Sequence, residues 1–417
     1  MPEPAAWWKR RPVTAETLIF WAFMGAFAGM PTGTSPPTAC GLAAVGIWLL
    51  SGKVLREIPG LARRKWVRPV LLLVLLPWIG LIYSPDPGGL GLDYAGKTYY
   101  WLFCFALAGC CPQNGRRRWL INAFLLGLAV NAVFGALQLI GVLAPIETVY
   151  SGLGRGYSTL AAYLVVGILI LSFDYRQAVH IKWRMGLALL MAFYFFHLVI
   201  LQGRTGYLTF LVLSPLIVRN LFHRARRWKI AVICLLVAGS MFLSPVVRRR
   251  VSDSIATLRY HLSVRPDKAW GRVYSPHQDR FFMWHSAVRI FREHPLLGVG
   301  TGGYQTRVHQ LSPPGTPLFA HPHNDFLYMA ASYGLVGVLA FLWFFASLIH
   351  TAWRCRDTAV GYFVFSVALV VLVSGLFNAQ MLDAGMAFLL AVATGMQAWL
   401  RAEEPSPALG RTRRQQA

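Results

Sequence analysis

"WLINAFLLGLAVNAVFGALQLIGVLA", residues 119–144, runs for 26 residues without a charged side chain and follows directly on "RRR" at 116–118. A helix rises 1.5 Å per residue, so roughly 20 apolar residues cross the hydrocarbon core of a bilayer. This run is long enough to cross. The arginines in front of it mark the side on which positive loops are retained.

Runs of the same character recur along the chain, at 15–30, 37–51, 69–84, 98–112, 119–144, 159–173, 185–201, 206–220, 229–247, 324–350, 359–377 and 384–400. Across all 417 residues, 56% are hydrophobic and 13% charged, with a mean hydropathy of +0.49. A soluble protein of this length does not carry so much apolar surface. The fold expected is therefore all-α, a polytopic membrane protein of about 12 transmembrane helices. The six cysteines all lie in or beside apolar runs, so no structural disulfide is expected. "MPEPAAWWKRR" reads as a cytoplasmic flank to the first span rather than a cleaved leader.

A formal net charge of +24 would point to nucleic acid in a soluble chain. Here its distribution has another cause. Lys and Arg gather at 51–68, 116–118, 174–184 and 218–229, while the short alternate loops carry only Lys97, Arg155 and Arg204. That alternation puts both termini in the cytoplasm. It divides the chain into an N-terminal bundle (1–247), a non-cytoplasmic loop (248–322), C-terminal helices (323–400) and a cytoplasmic tail (401–417).

The loop 248–322 holds eleven Lys or Arg against four Asp or Glu. A long loop crosses regardless of charge, so this surplus has no topological use. It suits an anionic ligand such as a phosphate or an acidic glycolipid, and no nucleic acid is expected on that side. Within it, "QDRFFMWHSAVRIFREHP" reads as an amphipathic helix at the membrane surface. Phe281, Trp284, Val288 and Phe291 form its stripe, Asp279 its cap, and Pro295 its stop. Arg280 then sits in the first turn, where exposed N–H groups also favour an anion.

"HPHNDFLYMAASYGLVG", 321–337, places polar residues at the mouth of an apolar segment. If the helix begins at 323, His323 and Gly334 fall within about 20° of one face. Gly334 and Gly337 on that stripe would admit a neighbouring helix. On physics alone His323 is equally well an interfacial anchor or a functional group.

"HN" followed by nine residues and "GLVG" resembles the H-[N/S/Q]-x9-G-x-x-G signature of bacterial O-antigen ligases. The run "DRFFMWHSAVRIFREHPLLGVGTGGY" (279–304) is similar to the same superfamily, which includes O-antigen polymerases and protein O-oligosaccharyltransferases. The resemblance is specific over 279–337 and architectural elsewhere. It implies a GT-C-like membrane fold with one large periplasmic helical loop, in the bacterial inner membrane.

The reaction implied moves a glycan from undecaprenyl-diphosphate-linked O-antigen to a hydroxyl of lipid A–core oligosaccharide at the periplasmic face, with neither metal nor cofactor. His323 would be the base or the acceptor-orienting group. Arg204 in "QGRTG" and Arg280 would bind the diphosphate. The residue chemistry agrees: fixed guanidinium groups stabilise the charge that develops on a leaving diphosphate. Arg155 in "GLGRGYS" is a third candidate, against the bland alternative of a snorkelling arginine. Asn324 and His321 are candidates for acceptor or sugar contacts.

No D-x-D and no P-loop occur in the chain, and "GVGTGG" (298–303) reads as a flexible turn rather than a dinucleotide site. An O-antigen polymerase is the nearest alternative. A protein O-oligosaccharyltransferase fits less well, because only two short spans and the tail follow the signature. A polyprenyl-glycan transporter would carry ionisable groups deep in several spans, which are nearly free of charge here.

Overall fold

Inside a bilayer a backbone N–H or C=O without a partner costs several kcal/mol, so segments that cross it close their hydrogen bonds internally as helices. The computed structural model describes residues 14–400 except 111–113, 147–148, 155, 202, 223–226, 242–246, 250, 254, 257–258, 260–277 and 313–318. Among the described residues there is no strand. The helices are α1 (Ala15–Gly29), α2 (Ser35–Leu50), α3 (Lys53–Ala62), α4 (Val67–Ile79), α5 (Leu92–Gly96), α6 (Tyr100–Gly109), α7 (Asn114–Leu139) and α8 (Tyr157–Gln177). They continue with α9 (Ile181–Ile200), α10 (Arg204–Leu221), α11 (Arg227–Met241), α12 (Gln278–Glu293), α13 (Gly303–Leu311), α14 (Asp325–Arg354), α15 (Ala359–Ser374) and α16 (Ala384–Leu400).

Each apolar run of the sequence falls on a helix. Among the described residues four helices, Gly115–Leu139, Tyr157–Gln177, Ile181–Ile200 and Asp325–Arg354, are long and apolar enough to cross a membrane. The pair α2 and α3, bent by 98°, makes a fifth candidate if it counts as one span. The other runs form shorter helices, among them α4, α15 and α16. By length and composition the described helices thus support four or five of the twelve crossings expected. The expected tail, 401–417, lies outside the described residues.

At the centre stands α8, buried at every position from Thr159 to Phe173. A helix apolar on all sides is one enclosed on all sides, and α9, α10 and α15 pack around it. Asn220 of α10 ties this core together, donating to Ser172 Oγ (3.0 Å) and Tyr362 OH (2.7 Å). By contrast α9 leaves Trp183, Leu189 and Phe196 exposed. That surface suits lipid rather than water. The described cysteines 40, 104 and 234 are free thiols.

The segment that positions the polar mouth is α14, and it differs from the expected single helix. Asn324 caps it, and at Gly334 (φ 61, ψ −152) the chain leaves helical geometry before resuming. The twenty residues 335–354 then extend roughly 30 Å, enough to cross by themselves. His323 lies outside the helix, so it shares no helical face with Gly334.

The break is filled by "GVGTGG", which is no free turn. Val299 N donates to Ala331 O (3.1 Å) and Gly300 N to Ser332 O (2.9 Å). On the other side Leu335 N donates to Pro295 O (2.8 Å) and Val336 N to Leu296 O (3.3 Å). Groups that the broken helix no longer pairs internally are thereby satisfied by the loop. The close approach read from Gly334 is that of a loop, not of a neighbouring helix.

The loop that fills the break follows α12, whose buried face also differs from expectation. Met283, Ala287 and Ile290 point inward, where Ala287 and Ile290 join Tyr304, Val308 and Ala331 in a small second core. The expected stripe of Phe281, Trp284, Val288 and Phe291 lies on the adjoining face and is half-buried. Both stripes are apolar at helical spacing. Contact with α13 and α14 chose between them. The side chain of Asp279, the expected cap, lies outside the described residues.

A Cβ at position 334 would stand 2.4 Å from the Leu296 carbonyl, in a left-handed backbone. Gly334→Ala is therefore expected to cost roughly 3 kcal/mol or more, from backbone strain and displaced hydrogen bonds together. Gly186→Ala in α9, where a Cβ meets nothing within 4 Å, should be neutral or stabilising by about 0.5–1 kcal/mol. Unfolding of the two variants in mixed micelles checks this; equal stability would remove the loop from its role.

Candidate functional site

Residues 320–325 form a short loop pinned from three sides. Tyr94 OH donates to Ala320 O (2.9 Å), and Trp284 Nε1 donates to Pro322 O (2.8 Å). Asn324 turns the chain into α14: its Oδ1 accepts from Leu327 N (3.0 Å) while its Nδ2 donates to Leu376 O (2.9 Å). Asp325, buried, accepts from Gln380 N and Met381 N at 3.2 Å each, and its own N–H donates to Gly375 O (2.7 Å). The "HPHND" loop and the α15–α16 connection are thus one hydrogen-bonded unit. Asn324 serves here as cap and brace.

His323 has φ 48, the sole non-glycine residue with positive φ among the described residues. Such geometry costs of order 1–3 kcal/mol and persists where surrounding contacts fix it. Its Nδ1 lies 3.0 Å from Asn378 Oδ1, and Asn378 Nδ2 donates to Ser158 Oγ (3.0 Å). Asn378 and Ser158 thus hold the ring in place through two hydrogen bonds. His321 sits beside it, ring centroids 4.4 Å apart at 80°, and its Nδ1 accepts from His323 N (3.4 Å). The second histidine therefore holds its proton on Nε2.

Electrostatics keep both rings neutral near pH 7. Burial lowers the His323 pKa, the bond to Asn378 opposes this, and the positive charge of Arg280 lowers it further. For His321, burial, then His323, Lys97 and Arg280 bring the value down to about 4. Arg280 is half-buried at the start of α12, where burial lowers its own pKa and Tyr157 opposes that. Lys97 lies over the ring of Tyr94 (4.4 Å), and burial draws its pKa down against the pull of Asp93.

Arg204 opens α10, and the glycines flanking it have a packing reason. A Cβ on Gly206 would stand 2.4 Å from Ala161 Cβ, and one on Gly203 would stand 3.7 Å from Tyr157 Cδ2. The first turn of α10 is thereby held against the start of α8, which carries Tyr157 and Ser158. Arg204, Arg280, His321, His323 and Asn324 come to the same end of the bundle. Arg155 lies outside the described residues. The loop leading to it is held by buried Asn131, Gln138 and His197, which bond the backbone of Ser151, Gly152 and Tyr150.

Several site residues had little sequence signal. Lys97 was visible as one of few charges in the short alternate loops. Nothing in "SGLFNAQ" separates Asn378 from an ordinary loop asparagine, and Ser158 and Tyr157 were equally silent. Below Lys97 an apolar cleft opens between α4, α5, α6, α14 and α16, lined among others by Tyr94, Trp101, Tyr328 and Met381. Among the described residues no three His, Cys, Asp or Glu side chains converge as a metal-binding set.

Residues 186–342 match the family described as O-antigen ligase. That stretch contains Arg204, Arg280, His321, His323, Asn324 and the break at Gly334. A protein of Rickettsia conorii named as a polysaccharide ligase is 27% identical over 114 residues. That match spans 26% of this chain and 25% of the relative.

The charge environment predicts opposite responses in two variants. Arg280→Gln removes a positive neighbour, so the His323 pKa should rise toward the ordinary 6.5; Asn378→Ala removes a bond that favours the charged ring, so it should fall. Titration of 13C-labelled histidine by NMR, with His323 assigned by its loss in His323→Gly, reads both. Shifts in the same direction would show that the ring does not sit between these two groups.

Proposed function

We propose that the chain is an O-antigen ligase of the bacterial inner membrane, with the His323 end of the bundle at the periplasmic face and both termini cytoplasmic. The donor is an undecaprenyl-diphosphate-linked glycan and the acceptor a hydroxyl of the lipid A–core oligosaccharide. The observation that carries this reading is the His323 imidazole, held in left-handed backbone with Nδ1 3.0 Å from Asn378 Oδ1 and kept from charging by burial and by Arg280. The match of 186–342 to the O-antigen ligase family and the polysaccharide ligase of R. conorii support the reaction class.

In this reading the acceptor oxygen attacks the anomeric carbon while its proton passes to His323 Nε2. The bond from the anomeric carbon to the diphosphate oxygen breaks, and the diphosphate leaves with the electron pair. Arg280 and Arg204, with Arg155 as a third candidate, oppose the charge that develops on it. Fixed cations in a water-poor site supply this stabilisation without a metal ion. His321, donating through Nε2, and Asn324 orient sugar or acceptor hydroxyls. Lys97 stands where the diphosphate would meet the apolar cleft, and the cleft offers a path for the polyprenyl chain.

Positioning matters as much as basicity here. A neutral imidazole pinned by Asn378 presents one nitrogen in one place, which is what general-base catalysis near neutral pH requires. Because His323 occupies left-handed backbone, His323→Gly removes the imidazole while leaving that conformation free of strain. The loss then reports chemistry rather than folding.

Transfer between undecaprenyl-diphosphate glycan and rough lipopolysaccharide, in proteoliposomes containing EDTA, tests the proposal. Wild type should transfer, and His323→Gly should lose about 10²–10⁴-fold. Arg280→Gln should lose about 10²–10³-fold, and Arg280→Lys should not restore it because the planar fork is gone. Activity should fall as pH drops through the lowered His323 pKa, below 6.5, since protonation blocks the base. Glycan lengthening without the lipopolysaccharide acceptor would instead make this a polymerase.

A further inference from the structure

At the end of the bundle opposite His323 lies a cavity of about 1190 Å³ that the transfer reaction does not use. Ligand sites typically measure about 300–1,000 Å³, so this one is ample. It opens where α14 and α16 end and α4 begins. Along α14 its lining runs from Trp343 to Arg354, roughly 13–30 Å from the break at Gly334.

Its walls combine charge, unpartnered polar atoms and apolar surface. Arg64, Lys65 and Arg354 supply the charge. The lining acid, Asp357, is already paired with Arg176 (3.3 Å). Arg64 uses one N–H on Ala398 O (3.1 Å), leaving other donors of its guanidinium for a ligand. Trp66 and Gln397 are 7% and 3% exposed, and Trp66 Nε1 and Gln397 Oε1 have no hydrogen-bond partner among the described residues. Both residues line the cavity, so its wall is polar beneath the cations. Trp343, half-exposed, forms an apolar wall beside them.

Depth in the membrane is indicated by α3. It leaves α2 at 98°, across the bundle end, and exposes Leu55 and Ile58 on one side. Such a helix lies in the interface, with apolar residues in the acyl region and charges at headgroup level. Its C-terminal end runs directly into Arg64 and Lys65. The cations therefore stand at the depth of lipid phosphates, with tryptophans at the boundary as interfacial residues usually are.

We propose that this cavity binds the headgroup of an anionic phospholipid. Arg64, Lys65 and Arg354 hold the phosphate, and the acyl chains leave along Trp343. The site stands apart from His323 and does not depend on the transfer reaction.

Binding of dioleoyl phosphatidylglycerol and dioleoyl phosphatidylcholine to the purified full chain, by native mass spectrometry and thermal melts in detergent, tests it. Phosphatidylglycerol should bind and raise the melting temperature well beyond phosphatidylcholine. Lys65→Gln and Arg354→Gln should each weaken it about fivefold, whereas His323→Gly should bind like wild type. Should the charge variants fail to fold, quenching of wild-type tryptophan by headgroup-proximal spin-labelled phosphatidylglycerol against phosphatidylcholine decides. Equal response to the two lipids, or unchanged binding in the folded variants, overturns the proposal. So does binding that appears only after residues 401–417 are removed, which would assign the cavity to the chain's own C-terminal segment.

Discussion

Everything at the polar mouth depends on how the backbone is satisfied where α14 breaks. In an apolar environment the freed carbonyls of Ala331 and Ser332 and the freed N–H groups of Leu335 and Val336 need partners within the protein. The glycine-rich loop 295–300 supplies all four. Gly334 permits the turn, and Gly298, whose Cβ would stand 2.4 Å from the Ser332 carbonyl carbon, permits the contact. This single docking fixes the loop after α12 to α14. It thereby brings Arg280, at the other end of α12, to the entrance of the same helix.

From that constraint the geometry of the histidines follows. The entry segment of α14 is anchored below by the break and above by Asn324, Asp325, Trp284 and Tyr94. The 320–324 loop has no freedom left to relax His323 out of the left-handed region. The imidazole is held against Asn378, whose amide is itself held by Ser158 of α8. Three distant stretches of chain, around 158, 323 and 378, meet in two hydrogen bonds. A ring held by both its backbone and its side chain is fixed in place rather than free to rotate.

The two ends of the bundle use positive charge differently. Near His323, Arg280 and Lys97 lie among buried groups and depress the charge of their neighbours. At the opposite end, Arg64 and Arg117 donate to the last carbonyls of α16, where a cation also opposes the helix dipole. Charge that reads simply as a topological signal in the sequence thus also closes helix ends and lines a cavity.

The sequence by itself determined the membrane class, the all-helical fold and the position of each apolar helix, because hydropathy over twenty residues is a local quantity. It also determined the candidates Arg204, Arg280, His321, His323 and Asn324, through the residue types that phosphate and proton chemistry require and through a spaced motif. Only the tertiary structure decided that the motif's glycine breaks the helix rather than packing it, and which of two apolar stripes on α12 turns inward. Asn378 and Ser158 were likewise out of reach, lying 55 and 165 residues from His323 in sequence. Their roles come from side chains meeting across helices, and local pattern carries no record of which partner stands opposite.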